Sequence, residues 1–256
     1  MNRKTPLVLK VGGGEVDDLG FLLDLAAVVG SMDRPPVIVH GGGKEIGSWL
    51  EMLGQEASFH QGLRITDERA VAVVEMVLSG RVNKRLVGTL VASGVEALGL
   101  SGRDLGLVRA RKLEAEVDLG HVGEPEAVKA GILTRLCGMG IVPVISPVSQ
   151  DAGGVVYNIN ADHVAAAVAV ALEAKELVFL SNVPGVLDAG GEPIQSLTGE
   201  QIEQLIDRKV IDGGMLPKVR SSLDTLKAGV RKVLITDLAG LRGYLDGKTA
   251  ATLVRP

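Results

Sequence analysis

The run Leu7-Val8-Leu9-Lys10-Val11 sets one ammonium group inside an apolar stretch and ends in three glycines, Gly12-Gly13-Gly14. An unpaired lysine in such surroundings is costly, so Lys10 points to function rather than to an ordinary strand end. Glycine turns bare their backbone N–H groups, and a cation delivered beside them suits an anion. The pattern returns as Val37-Ile38-Val39-His40-Gly41-Gly42-Gly43, with a helix-like stretch behind it. Two such turns side by side would make a double phosphate cradle.

Several phosphate-binding motifs are excluded by spacing. After Gly41 and Gly43 the next glycine is Gly47, one place too late for the dinucleotide fingerprint G-x-G-x-x-G. Gly247-Lys248-Thr249 imitates the end of a P-loop, but its first glycine would have to stand where Arg242 does. No H-R-D or D-F-G triplet and no G-x-S-x-G nucleophile elbow occurs. Glycine turns with lysines and an aspartate at strand or helix ends fit phosphoryl transfer, whose loose transition state asks for positioning and positive charge more than covalent chemistry. An ammonium ~4 Å from a phosphoryl oxygen is worth roughly 4 kcal/mol at an effective dielectric of ~20.

Composition narrows the partners. At 256 residues and 46% apolar, the chain has material for one large domain or two small lobes and should fold as a soluble globule. Aromatics are only 2%, against stacking platforms, and the net charge of −4 with interspersed signs provides no basic stripe; neither nucleic acid nor a membrane surface is expected as partner. Cys137, the single cysteine, lies in the apolar stretch Ile132-Leu133-Thr134-Arg135-Leu136-Cys137 and reads as a core filler. Histidines 40, 60, 121 and 163 show no metal-ligand spacing. Met1–Pro6 reaches the first strand too soon for a signal peptide, and no apolar run is long enough to cross a bilayer, so a cytoplasmic protein is expected.

The elements that must position these residues alternate. Strand candidates 7–11, 37–40, 95–98, 141–146, 177–180 and 232–236 are interleaved with helix-like stretches near 16–31, 44–53, 67–79, 81–93, 162–173, 198–206 and 215–228. This predicts an α/β fold, a three-layer αβα sandwich around a mainly parallel open sheet. Thr66 reads as an N-cap before Asp67 and Glu68, Thr198-Gly199-Glu200-Gln201 as a capping box, and Gly94 and Gly229 as helix C-caps. Between 105 and 127, short apolar alternations with Gly106, Gly120 and Gly123 suggest antiparallel hairpins appended to the sheet, and Gln150–Gly154 is a turn. A soft lobe boundary falls near residue 173, dividing 1–173 from 174–256.

Seven stretches carry a resemblance: Lys10-Val11-Gly12-Gly13, His40-Gly41-Gly42-Gly43, Gly62-Leu63-Arg64-Ile65-Thr66, Gly120-His121-Val122-Gly123, Asn158-Ile159-Asn160-Ala161-Asp162, Ser181-Asn182-Val183-Pro184-Gly185-Val186 and Gly214-Met215-Leu216-Pro217-Lys218. In this order they make the chain resemble the amino-acid kinase superfamily and, within it, the N-acetylglutamate kinases, over nearly its whole length. The resemblance implies the amino-acid kinase fold and ATP-dependent phosphorylation of the γ-carboxylate of N-acetyl-L-glutamate to the 5-phosphate in arginine biosynthesis. It implies that Lys10 and Lys218 contact the phosphoryl group in flight, with Asp162 between them holding both ammonium groups in place rather than acting as a base. Gly12 and Gly13 would lie near the γ-phosphate and Gly42 and Gly43 at the acceptor carboxylate. Arg64 would be a bidentate fork for the substrate α-carboxylate, and Asn158 would help to fix the same molecule. Asn182, Val183, Pro184, Gly185, Val186 and Leu187, with Val210, Ile211 and Asp212, would hold adenine, ribose and phosphates. Mg2+ would come with ATP, bound mainly by phosphates and water. Residues 1–173 would bind the amino acid and dimerise, and 174–256 would bind the nucleotide.

Asn182 departs from the family, where an aspartate is frequent, and the same Ser-Asn-Val-Pro-Gly form occurs in related kinases that phosphorylate carrier-protein-linked α-aminoadipate in lysine biosynthesis. The Gly62–Thr66 and Gly120–Gly123 stretches look more like the N-acetylglutamate enzymes. A non-catalytic nucleotide- or phosphate-binding sensor is the alternative of another class, against which Lys10, Asp162 and Lys218 argue. Without the N-terminal helical extension of arginine-inhibited members, an arginine-insensitive homodimer is expected. Simpler readings hold elsewhere: Asn160 as a turn former, His40 and His121 as structural hydrogen-bonding groups, and Val164, Val168, Ala171 and Leu172 as the core face of a helix.

Overall fold

The structure, a computed structural model, describes residues 5–188, 190–213, 215–248 and 251–255. Its first half runs β1 (Val8–Val11), α1 (Leu19–Gly30), β2 (Val37–His40), α2 (Gly43–Met52), β3 (Phe59–His60), β4 (Leu63–Arg64), α3 (Glu68–Glu75), a π-helical segment (Met76–Val82), α4 (Asn83–Ala92), β5 (Ala97–Ser101), β6 (Val108–Lys112) and β7 (Val122–Val128). There follow α5 (Ala130–Gly138), β8 (Val142–Ser146), β9 (Val148–Gln150), β10 (Val156–Ile159), α6 (Ala161–Ala171), β11 (Leu177–Leu180), β12 (Ser196–Thr198), α7 (Gly199–Asp207), α8 (Met215–Lys227), β13 (Val233–Thr236), α9 (Leu238–Leu245) and β14 (Thr252–Arg255).

Short, continuously apolar strands are the mark of a parallel sheet covered on both faces, and β2, β8, β11 and β13 are buried at every residue. They join β1 in one eight-stranded sheet of order β12-β14-β13-β11-β1-β2-β8-β5. All its pairings are parallel except β13 with β14. The alternation of side chains divides the core into two layers. Val8, Val39 and Phe179 pack with Val164 and Val168 of α6 and Val219 of α8. Leu9, Val11 and Ile38 pack on the other face with Leu22 and Leu25 of α1 and Leu86 of α4. The three-layer αβα reading therefore holds. Lys10, aligned with Phe179 and Val39, lies on the α6 and α8 side.

Several local expectations hold. The Thr198–Gln201 capping box is present, and Gly94 and Gly229 follow α4 and α8 at φ 83° and 107°, the left-handed region a helix C-terminus uses. Cys137 is half-buried in α5, and burial pushes its thiol up to about 11, as befits a filler. Asp151 accepts from the backbone of Gly153 and Val155 in the turn between β9 and β10.

Others are corrected. Asp67, not Thr66, caps α3, accepting from the Ala70 N–H, while the Thr66 hydroxyl donates to the Arg64 carbonyl. Strand β6 does pair antiparallel with β7, but with β9 and β10 they close a separate four-stranded barrel instead of extending the main sheet. Helices α5 and α9 and strands β12 and β14 were not anticipated. On α6, Ala171 is exposed; Val164, Ala165, Val168, Ala169 and Leu172 form the core face.

Candidate active site

Both glycine turns leave the C-terminal ends of adjacent strands, Gly12–Gly14 after β1 and Gly41–Gly43 after β2. They touch. A Cβ built on Gly13 would stand 3.0 Å from the backbone nitrogens of Gly42 and Gly43, and one on Gly41 would stand 3.2 Å from that of Gly13. Gly43 faces open space, and with Gly42 as N-cap it begins α2. A second helix, α6, opens nearby with Asn160 as its N-cap, whose side chain accepts from the Asp162 N–H at 2.9 Å. That is the structural role expected of Asn160. Two helix N-termini thus turn their partial positive charge toward a cleft of about 260 Å³ lined by Lys10, Gly13, Gly41–Gly43, Arg64, Asn158 and Asn160–Asp162.

Lys10 is ion-paired with Asp162, Nζ to Oδ1 at 2.7 Å, and its Nζ stands 5.9 Å from the centre of the Phe179 ring. The other carboxylate oxygen of Asp162 accepts from the Ser221 hydroxyl at 3.0 Å. Lys218, on the first turn of α8, donates to the Ser181 hydroxyl just beyond β11. Burial pushes the pKa of Lys218 down; Glu15 and Asp162 oppose that shift, while Lys10 adds to it. Among the described residues Asp162 makes no ion pair with Lys218, so it holds one ammonium directly and meets the helix of the other through Ser221. Gly214, part of the Gly214–Lys218 stretch, lies outside the described residues.

Arg64 reaches the cleft from the β3–β4 hairpin. One guanidinium nitrogen donates to the Gly43 carbonyl at 3.0 Å, and the group stacks 4.7 Å from the Phe59 ring centre. Its other terminal nitrogen, Nη1, is buried without a hydrogen-bond partner, and burial pushes the guanidinium pKa down. The hairpin is fastened by Thr66, which is fully buried and takes the Leu119 carbonyl and the His121 N–H into its backbone bonds. Asn158 donates to the Thr66 hydroxyl at 3.4 Å. Gly120 permits the close approach: its φ is 68°, and a Cβ there would meet the Thr66 carbonyl oxygen at 2.3 Å. The Gly62–Thr66 and Gly120–Gly123 stretches therefore clasp each other beside the cleft.

The residues expected to hold a nucleotide stand apart from that cleft. Asn182, Val183, Pro184, Gly185, Val186 and Leu187 follow β11, and Val210, Ile211 and Asp212 join α7 to α8. The Val186 and Ile211 side chains are buried in the core; the Val186 N–H donates to the Thr252 hydroxyl at 2.8 Å and its carbonyl accepts from the Ile194 N–H at 2.8 Å, while the Ile211 N–H donates to the Leu205 carbonyl, so of the two only the Ile211 carbonyl has no backbone partner among these bonds. Gly12 lies against Glu15, whose carboxylate would meet a Cβ there at 2.1 Å. Ser181 and Ser221 were assigned no role from sequence. The signal for Ser221 was its place three residues after Lys218, one helical turn along the same face.

His40 and His121 are structural, as expected. His40 is fully buried, donates from Nδ1 to the Gly41 carbonyl at 2.9 Å and accepts at Nε2 from the Asn83 amide at 3.1 Å; burial pushes it down to about 4 and keeps it neutral. The His121 ring pairs with the Val156 carbonyl. Among the described residues no three His, Cys, Asp or Glu side chains come together to hold a metal, and no helix is long and apolar enough to cross a membrane.

A cation-lined cleft at the strand ends of a parallel sheet, between two glycine turns and two helix N-termini, is built to hold anionic groups. A model of the amino acid kinase family matches residues 5–237, and the chain belongs to that family. Within it, the similarity is to acetylglutamate kinases. The one from Roseiflexus castenholzii is 48% identical, with 94% of this chain and 93% of that protein covered. That from Chloroflexus aurantiacus is also 48% identical, with 96% of each covered. The fold matches the crystal structure of smu.665 from Streptococcus mutans UA159 at a TM-score of 0.76 and 29% identity, over 97% of this chain and 98% of that one.

Proposed function

We propose that the protein transfers the γ-phosphoryl group of ATP to the γ-carboxylate of N-acetyl-L-glutamate, forming an acyl phosphate in arginine biosynthesis. The observation that carries this reading is the convergence of the Lys10–Asp162 pair, the paired glycine turns and the unpartnered Arg64 Nη1 on one cleft, in a chain 48% identical to acetylglutamate kinases. The acceptor is already a carboxylate, so the site needs no base. Its task is to hold two anions together and to offset the charge of the phosphoryl group between them.

Arg64 Nη1 is a donor awaiting the α-carboxylate, and Gly42 and Gly43 present amides to the carboxylate that is phosphorylated. Lys10 approaches from the sheet and Lys218 from α8, while Asp162 fixes the first and orients the second element. Residues 182–187 and 210–212 would take the nucleotide, in the 174–256 half, and 1–173 the amino acid. Magnesium fits the donor set only as a companion of the nucleotide: Asp162 is committed to Lys10 and Ser221, and the described residues offer no cluster of ligands. When bound it would shield phosphate charge.

We further propose a cytoplasmic homodimer. The dimer is supported by β5, which ends the main sheet as an edge and leaves Leu98 exposed. The compartment is supported by the need for ATP. Carrier-linked aminoadipate phosphorylation and a non-catalytic sensor are not favoured, given the acetylglutamate kinase relatives and the presence of Lys10, Asp162 and Lys218. ADP release measured with a panel of acceptors tests the reading. Turnover is expected with N-acetyl-L-glutamate, and its absence there would overturn the reading.

A further inference from the structure

Helix α8 carries three hydroxyl residues in its middle turns. Ser222 and Thr225 donate back to carbonyls four residues earlier, Lys218 at 2.8 Å and Ser221 at 2.6 Å. This is the usual fate of a serine or threonine inside a helix. Ser221 does otherwise. It donates 3.0 Å across the helix gap to Oδ2 of Asp162 on the first turn of α6.

We infer that Ser221 is a positioning residue of the phosphotransfer site, orienting Asp162 and through it Lys10. The inference rests on the kinase reading given above. Asp162 divides its two oxygens between two partners, Oδ1 to Lys10 at 2.7 Å and Oδ2 to Ser221 at 3.0 Å. Oδ1 makes no hydrogen bond and is held by the ion pair alone, so the ion pair and the Ser221 hydrogen bond together set the carboxylate plane and the direction in which the Lys10 ammonium faces the cleft. Without Ser221, Oδ2 keeps no protein hydrogen-bond donor among the described residues, and the carboxylate is free to turn about its χ2.

The contact has a second consequence. Ser221 stands one turn beyond Lys218 on the same helix, so the bond ties α8 to α6 beside the position from which Lys218 acts. Lys10 comes from β1 and Lys218 from α8, far apart in the chain. Ser221 with Asp162 is one polar link that sets the spacing of the elements bearing the two lysines, through α6; the bond from Lys218 to Ser181, just beyond β11, is another. Small displacements of such groups carry large rate penalties while leaving the binding of either substrate nearly unchanged.

The test compares Ser221→Ala, Ser221→Thr and Ser221→Val with the wild-type protein in steady-state ADP release, with Asp162→Asn as reference. Ser221→Ala is expected to lower kcat about tenfold, the scale of one hydrogen bond to a charged group, with both KM values within about twofold. Threonine should restore most of kcat and valine, of the same shape, should not; a merely structural role would not separate those two. The double variant Ser221→Ala with Asp162→Asn should be no slower than Asp162→Asn alone. Wild-type kcat in Ser221→Ala or in Ser221→Val, or additive losses in the double variant, would overturn the inference. If Asp162→Asn itself keeps full activity, the positioning role falls with it; no ADP release from the wild-type protein with N-acetyl-L-glutamate would instead mean that the kinase reading of the cleft fails.

Discussion

Gly13 lies against Gly42 so closely that its missing side chain is what allows the two glycine turns to meet: a Cβ on Gly13 would sit 3.0 Å from the Gly42 nitrogen. The turns belong to different strands, yet each sets the position of the other. Gly13→Ala should therefore push the turns apart by a few tenths of an ångström without unfolding either. The expected outcome is a fall in kcat/KM of about 10–100-fold with a small change in melting temperature, measured by initial rates and thermal denaturation.

Lys218 contributes charge rather than packing. Lys218→Ala should lower kcat by roughly 10²–10³, the cost of removing one preorganised electrostatic donor, with an unchanged circular dichroism spectrum. A kcat at the wild-type level would remove Lys218 from the chemistry and leave its Ser181 contact as its whole role.

Arg64 is expected to act on binding. Arg64→Ala should raise the KM for N-acetylglutamate at least about tenfold and leave the KM for ATP nearly constant, and Arg64→Lys should not restore it, because an ammonium cannot reproduce a fork that holds Gly43 and a carboxylate together. A rise in the KM for ATP instead would reverse the assignment of the two halves.

His40 makes stability depend on pH. Its folded pKa lies at about 4, below the ordinary 6.5, so on acidification the unfolded chain takes up the proton first. The neutral ring therefore favours folding fully above pH 6.5, and that stability is lost as pH falls toward about 4, by on the order of 3 kcal/mol. Urea unfolding at several pH values should show this slope in the wild-type protein and a shallower one in His40→Gln. Equal slopes would mean that His40 is not the group responsible.

The sheet was legible where burial is continuous. Runs such as Val37–His40 and Leu177–Leu180 have one reading, a strand covered on both faces. Helix α9 was not, because Gly240 and Gly243 dilute its pattern, although Asp237 does cap it by accepting from the Gly240 N–H. Helix α5 has Lys129 at its N-cap position, which makes no side-chain capping hydrogen bond. The barrel rests on pairings such as Arg109 with Gln150, which leave no local trace in a strand of three residues. The site divides in the same way. Lys10 announces itself because a charge interrupts an apolar run, whereas Asp162 and Arg64 look like a first-turn acid and a surface arginine until the packing of α6 on β1 and of the hairpin on α2 brings them to one cleft. Resemblance supplied those positions. Ser221, outside the family stretches, was marked only by its spacing of three residues from Lys218.

The central place of β1 also bears on how the protein is made. Val8–Val11 is made before either of its neighbours and can pair with β2 soon afterwards, but its other neighbour, β11, begins only at Leu177. Asp162 and then Lys218 follow still later. Such long-range closure slows folding and leaves an apolar strand edge waiting for its partner. The strand β1 thus completes its surroundings among the last, and a nascent chain that stops short of α8 lacks the second lysine altogether.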